Sequence, residues 1–241
     1  MKVMFYKMML FISFLTIATT GYSQTANEVL QQMSKQYSRT EALQYNSNYV
    51  LYKTAESKTV EQAYKGIFIK NAANEVYMKI DQTEILNSKT INVKISHSEK
   101  AIQIADPVKS YFGSFDIKPL LDLCKIEAIK DFKTYWEITL KAKNYSNLPY
   151  SKIVVHISKK YFIEKSIFYY STAVNFSKDY RSPKSYYPRL EVINTNFNRK
   201  AVNNTLFTTK NYFVAVNKNK PVPAERLKNY EVIDQRNSSN K

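Results

Sequence analysis

Three runs decide the fold: Lys152-Ile-Val-Val-His-Ile-Ser158, Tyr161-Phe-Ile-Glu-Lys-Ser-Ile-Phe-Tyr-Tyr170 and Pro188-Arg-Leu-Glu-Val-Ile-Asn-Thr-Asn-Phe197. In the first, Ile153, Val155 and Ile157 fall on one side of a pleated chain, with Lys152, His156 and Ser158 on the other. That two-residue period is the signature of a half-buried strand in an antiparallel sheet with one wet face. Only Lys159-Lys160 separates the first run from the second, so the two are expected to pair as a hairpin. The link from Ser177 to Tyr187 is long and polar, as a surface loop is.

The same period extends upstream. From Leu43 it runs through Tyr45, Tyr49 and Leu51, then Glu61 to Lys70, Glu75 to Ile80, Glu84 to Leu86, Ile91 to Ile95 and Lys100 to Ile104. Polar turns at 71–74, 87–88 and 97–99 divide these runs, which predicts a meander of neighbouring strands. Gly66 lies inside one of them, where a bulge or sharp bend is the usual meaning. Ahead of the meander, Thr25-Ala-Asn-Glu28 reads as a capping box. Ala26, Val29, Leu30, Met33 and Tyr37 then follow at helical spacing, so a helix is expected to lay an apolar stripe on the sheet.

Past the meander, Asp116 to Cys124 is expected to form a short helix, with Asp116 as its cap and Pro119 in its first turn. Cys124 is placed on that helix's apolar side, as a buried small hydrophobe and not a nucleophile. Strand pattern resumes at Ile126 to Ile129 and at Tyr135 to Lys141, where Trp136, Ile138 and Leu140 share a face. A final turn and strand are expected over Leu206 to Val214. The fold class is therefore mainly β (α+β), a curved antiparallel sheet with an N-terminal helix and short helices beside it.

Composition narrows the function. The chain of 241 residues carries a formal net charge of +16, yet only six of its 36 basic residues are Arg. Nucleic-acid readers favour the planar Arg fork, so nucleic acid is not an expected partner. The lysines read as solvated face and strand-edge protection, or as a patch for acidic headgroups or glycans. Met1 to Ser23 has a basic start, an apolar run and the small-x-small sequence Gly21-Tyr-Ser23, the layout of an export signal. The residue directly after that cut is Gln24 and not Cys, so a soluble, exported chain without a lipid anchor is expected. One domain over 24–233 and a polar tail over 234–241 complete the division. Cys124, the only cysteine, has no disulfide partner within the chain.

Catalytic signals are weak. Two glycines remain after the leader, too few for a phosphate-cradling loop. His97 and His156 have no His or Cys at i+2 or i+4 and read as exposed surface residues. No metal, cofactor or enzymatic activity is expected. The loop 175–188 is the most distinctive surface stretch, with Tyr180, Arg181, Tyr186 and Tyr187 as candidates to grip an anionic or carbohydrate partner.

The order of elements resembles the LolA lipoprotein carriers and their LolB- and RseB-type relatives. The residues that carry the likeness are Val29-Leu-Gln-Gln-Met33, the early strand Tyr64-Lys-Gly-Ile-Phe-Ile-Lys70 and the hairpin from Ile153 to Tyr170. Lys70-Asn71 stands where the carriers commonly show Arg-Pro, so no functional arginine is carried over. The resemblance implies an unclosed barrel in the periplasm whose hollow, capped by helices, takes up a lipid or a lipoprotein acyl chain. Ile67, Ile69, Ile95, Trp136, Ile138, Leu140, Val155 and Ile157 are the expected apolar lining, and a monomer is the expected state. The alternative from the residues themselves is an envelope interaction module. In it the sheet interior is filled core, and the Lys- and Tyr-rich surface binds glycan, headgroup or protein.

Overall fold

The computed structural model describes residues 24–108, 118–179, 181–216 and 220–236. Helix α1 (Ala26–Ser38) begins where the capping box predicts. The Glu28 backbone N–H donates to Thr25 Oγ1 at 3.3 Å, and the Thr25 N–H donates to Glu28 Oε2 at 2.8 Å. Two of the first-turn amides thereby gain partners. Its buried side chains are Ala26, Val29, Leu30, Met33 and Tyr37, the stripe read from the sequence. At the other end, the buried Lys70 holds the helix to the sheet, its Nζ donating to the Arg39 carbonyl and to Asn74 Oδ1. Burial, with Arg199 nearby, lowers the Lys70 pKa.

The strands are β1 (Leu43–Tyr52), β2 (Val60–Lys70), β3 (Val76–Ile80), β4 (Thr83–Asn87), β5 (Asn92–Ser96) and β6 (Ala101–Ala105). Then come helix α2 (Lys118–Leu123), β7 (Cys124–Asp131), β8 (Tyr135–Ala142), β9 (Tyr150–Ser158) and β10 (Ile163–Tyr170). The small pair β11 (Val174–Asn175) and β12 (Ser185–Tyr186) precedes β13 (Arg189–Asn198). Last are β14 (Phe213–Val216), β15 (Lys220–Pro223) and β16 (Glu231–Asp234). Twelve strands form one sheet in the order β16-β6-β5-β4-β3-β2-β1-β13-β10-β9-β8-β7. The edges β16 and β7 do not pair with each other, so the sheet is unclosed. β13 joins the two meanders, pairing with β1 on one side and β10 on the other.

The sheet curves around α1. The helix stripe packs in one cluster with Tyr45, Phe68 and Val76 of the first meander and with Ile138, Leu140 and Ile153 of the second. Only a bent layer brings strands so far apart in sheet order onto one helix. The apolar face then changes side at β2 and β3. Phe68 and Val76 face α1, while their neighbours Ile69 and Tyr77 belong to a second cluster with Leu86, Val93, Ile104, Phe213 and Leu227. Register aligns Ile69, Tyr77, Leu86, Val93 and Ile104 in a row across five strands. The parallel row on the α1 side runs Phe68, Met78, Ile85, Lys94 and Gln103, turning polar as it leaves the helix. The C-terminal segment therefore covers the opposite face of β3 to β6, where the greasy side chains now lie.

Several local expectations change. β16 runs parallel to β6, so the sheet is not wholly antiparallel. Gly66 sits in unbroken register opposite Ser47 and Ile80, with no bulge. Its lack of a side chain makes room for Tyr49, since a Cβ there would stand 3.0 Å from Tyr49 Cε2 and 3.0 Å from the Lys79 carbonyl oxygen. β10 starts at Ile163 and not Tyr161, because Tyr161 takes φ 62° in the turn and stacks its ring on Trp136 at 5.4 Å. Cys124 opens β7 and does not end the helix; it is buried, and that burial raises its thiol pKa. The turn and strand expected over Leu206 to Val214 form as two 3-10 turns, Asn204–Phe207 and Thr209–Asn211, followed by β14, but they are not the last elements, since β15 and β16 follow. Residues 1–23 and 237–241, and the proposed cap Asp116, lie outside the described residues. Asp234, where the tail was expected to begin, is the last residue of β16.

Candidate functional site

Between α1 and the second meander lies a hollow of about 430 Å³. Its floor is built by register. One row runs Leu51, Leu190, Phe168, Ile153, Leu140, Ile126 across six strands. The next runs Tyr49, Val192, Ser166, Val155, Ile138, Ile129 across the same six. Leu190, Phe168, Ile153 and Leu140 of the first row and Tyr49, Val192, Ser166 and Val155 of the second line the hollow, and Leu30, Met33 and Tyr37 of α1 form its roof with Leu120 of α2. The size is inside the range of roughly 300–1,000 Å³ found for small-molecule sites.

The walls are mostly carbon, and three of the polar side chains among them, Ser47, Asn194 and Tyr37, are tied into internal bonds. Ser47 Oγ donates to Asn194 Oδ1 at 2.7 Å, Asn194 Nδ2 donates to the Ile163 carbonyl at 2.9 Å, and the Ile163 N–H donates to the Tyr37 hydroxyl at 3.1 Å. No side chain of Asp, Glu, Lys or Arg is among the described residues that line it. Burial raises the phenol pKa values of Tyr37, Tyr45 and Tyr49 above the ordinary tyrosine value, keeping all three neutral. An unsolvated charge has nothing here to pair with, whereas an alkyl chain meets apolar wall on every side.

Under α1 one end is closed by rings: Phe162 stacks on Phe197 at 4.6 Å, and Tyr45 on Phe68 at 4.7 Å. Toward the other end lie the lining residues Leu148, Tyr150, Phe168 and Leu190, all half-buried.

The structure distributes the sequence candidates. Leu140 and Val155 line the hollow directly. Ile67 edges it while packing against the second cluster. Trp136, Ile138 and Ile157 lie in the cluster beneath α1. Ile69 and Ile95 belong to the second cluster on the opposite face of the sheet, because the apolar side switches at β2. The sequence reading expected a helix over the hollow without naming Leu30, Met33 and Tyr37 as lining, and it missed Tyr45, Ser47 and Tyr49 of β1, Ser166 and Phe168 of β10, and Leu190, Val192 and Asn194 of β13. The alternation in β1 and β13 was the available signal; it needed the non-consecutive β1-β13 pairing to become a wall.

Tyr186 pairs with Val174, and Lys53 Nζ stands 5.5 Å from the Tyr186 ring and 5.6 Å from that of Phe176. Arg181 and Tyr187 are exposed, and Tyr180 lies outside the described residues.

The two histidines are half-buried, not surface residues. His97 Nδ1 bonds the Tyr230 hydroxyl and its Nε2 bonds Glu84 Oε1, both at 2.8 Å, while Arg226 Nη2 reaches Glu84 Oε2 at 3.2 Å. Burial alone would raise the Glu84 pKa, but the bonds from His97 and Arg226 outweigh it and hold the carboxyl below its ordinary value. This cluster ties the C-terminal segment to β4. His156 stacks on Tyr135 at 4.7 Å beside Glu137, and burial lowers its pKa. Among the described residues no group of three or more His, Cys, Asp or Glu is placed to hold a metal ion. None of the described helices is long and apolar enough to cross a membrane.

No family model and no curated protein matches the chain in sequence. Solved structures of similar shape include an uncharacterized conserved protein of Thermus thermophilus, 11% identical, with a TM-score of 0.48 over 88% of this chain and 100% of that one. A LolA superfamily protein of Nitrosomonas europaea is 11% identical, with a TM-score of 0.35 over 77% and 98% of the two chains. LprF of Mycobacterium bovis is 9% identical, with a TM-score of 0.35 over 73% and 93%.

Proposed function

We propose that the protein is an exported, periplasmic carrier that holds one acyl chain of a lipid or lipoprotein in this hollow. The observation that carries the reading is the hollow itself, with its mostly apolar walls and with Ser47 and Asn194 bonded within the protein. At roughly 30 Å³ per water-sized group, a volume close to that of a methylene, the space takes about fourteen methylenes. At ~0.8 kcal/mol each, their burial favours binding by ~11 kcal/mol before the costs of association. Such a ligand is held without covalent chemistry and released when a better acceptor is offered. With no cation in the lining, the polar head of the lipid belongs at the open end.

The test is native mass spectrometry of the protein purified from its own cell envelope, with solvent extraction of whatever it holds. A mass increment that extracts as a lipid supports the carrier. Repeated recovery of bare protein, together with no binding of fluorescent fatty acids, removes it.

A further inference from the structure

The three connections at one end of the curved sheet lie together: 53–59 between β1 and β2, 143–149 between β8 and β9, and 171–188 between β10 and β13. Register requires it, pairing Tyr52 and Tyr169 with Arg189, Tyr170 with Tyr150, and Ala142 with Cys124. The half-buried lining residues Leu148, Tyr150, Phe168 and Leu190 lie at this same end, which makes it the hollow's candidate opening.

What surrounds that opening is unusual in kind. Tyr145 is 99% exposed and Tyr187 60%, and Val60 and Leu123 are also exposed at these strand ends. Single exposed apolar residues are ordinary, but here they ring one mouth. Lys58, Lys178, Arg181 and Lys184 stand exposed on the same connections, as does Lys143, whose Nζ bonds the Leu121 and Asp122 carbonyls, against only Glu56 and Asp179. Further in, cations lie over rings: Arg189 is 4.2 Å from the Tyr52 ring centroid, and Lys53 faces Phe176 and Tyr186. Amphipathic rings with scattered point charges suit a diffuse anionic surface that has an apolar layer just beneath it. A shaped phosphate or carboxylate would call for arginine forks, and four of the five exposed cations are lysines.

We propose that this end of the sheet seats on an anionic phospholipid bilayer, with the mouth of the hollow turned toward the acyl chains. A chain then passes between bilayer and hollow without crossing water. The inference rests on the hollow being a lipid site, and the two fail separately.

The exported protein is sedimented with vesicles of phosphatidylcholine alone and of phosphatidylcholine with one part in three phosphatidylglycerol. Binding to the anionic vesicles only, weakening as salt rises, is the expected result. Each basic group near such a surface is worth about fivefold in affinity, so reversing Lys58, Lys178, Arg181 and Lys184 to Glu lowers binding at least on the order of a hundredfold. Tyr145→Ser with Tyr187→Ser weakens it further at high salt, where charge is screened. Reversing the exposed Lys79, Lys94, Lys100 and Lys210, away from the mouth, leaves most of the binding. No preference for anionic vesicles, or an equal loss in both charge-reversed proteins, overturns the docking face. Fluorescent fatty-acid binding is measured on the same proteins. Its retention in the mouth variant shows that fold and hollow survive, while its absence in the unmutated protein strikes at the carrier reading and not at the surface.

Discussion

Ser166→Phe separates a hollow from a filled core. Ser166 lies mid-floor, between Val192 and Val155, and is buried. A phenyl ring in place of its hydroxyl takes the room of roughly five methylenes, which at ~0.8 kcal/mol each is ~4 kcal/mol of lost ligand burial. Because an acyl chain shifts partly toward the open end, a net loss of about 2–3 kcal/mol is expected, on the order of a hundredfold in Kd. Stability moves the other way. In a packed interior the added ring strains its surroundings and costs about 1–3 kcal/mol. In a hollow of about 430 Å³ it gains contacts and leaves the ligand-free protein as stable as before, or more so. The assays are fatty-acid titration and urea unfolding of delipidated protein. A variant that unfolds at lower urea and binds lipid normally would refute the reasoning, because it would mean the ring was forced into core.

Three further outcomes follow from named contacts. Gly66→Ala presses a methyl group on both the Lys79 carbonyl and the Tyr49 ring; about 1–2 kcal/mol of stability is lost by denaturant titration, and Tyr49→Ala in the same chain restores part of it. Glu84 has a depressed folded pKa, so its contribution is complete above the ordinary value of 4.5 and is lost as pH falls through the folded value. Thermal melts of the native protein should therefore drop steeply on acidification below that point, and Glu84→Gln should be less stable at neutral pH with a flatter acid profile. Thr25→Ala removes the cap of α1 and with it about 1 kcal/mol, measured as a lower urea midpoint; an unchanged midpoint would mean that α1 is held by its packing alone.

What the sequence made legible was local. The capping box, the helical stripe and the Ile153-to-Tyr170 hairpin each depend on neighbours a few residues apart; the first two formed as read, and the hairpin formed with its turn widened to 159–162. The side of the sheet was harder to read. Ile67, Phe68 and Ile69 are consecutive apolar residues, as are Val76, Tyr77 and Met78, and such runs mark strands covered on both faces. The run does not say which cover lies where. That depended on the C-terminal segment returning to place β16 beside β6, a pairing over more than a hundred residues. Likewise β13 closes the wall between β1 and β10, so Tyr49 and Val192 become neighbours only in the folded chain. Gly66 was legible as special, but its reason, the ring of Tyr49, lay on another strand.

The most direct measurement is photolabelling with a diazirine-bearing fatty acid, followed by peptide mapping. Label confined to α1 and to the strands carrying Tyr49, Val155, Ser166 and Val192, and competed away by unlabelled lipid, is the predicted result. Label on the C-terminal segment around Phe213 and Leu227, or spread evenly over the surface, would contradict an acyl chain held beneath the helix.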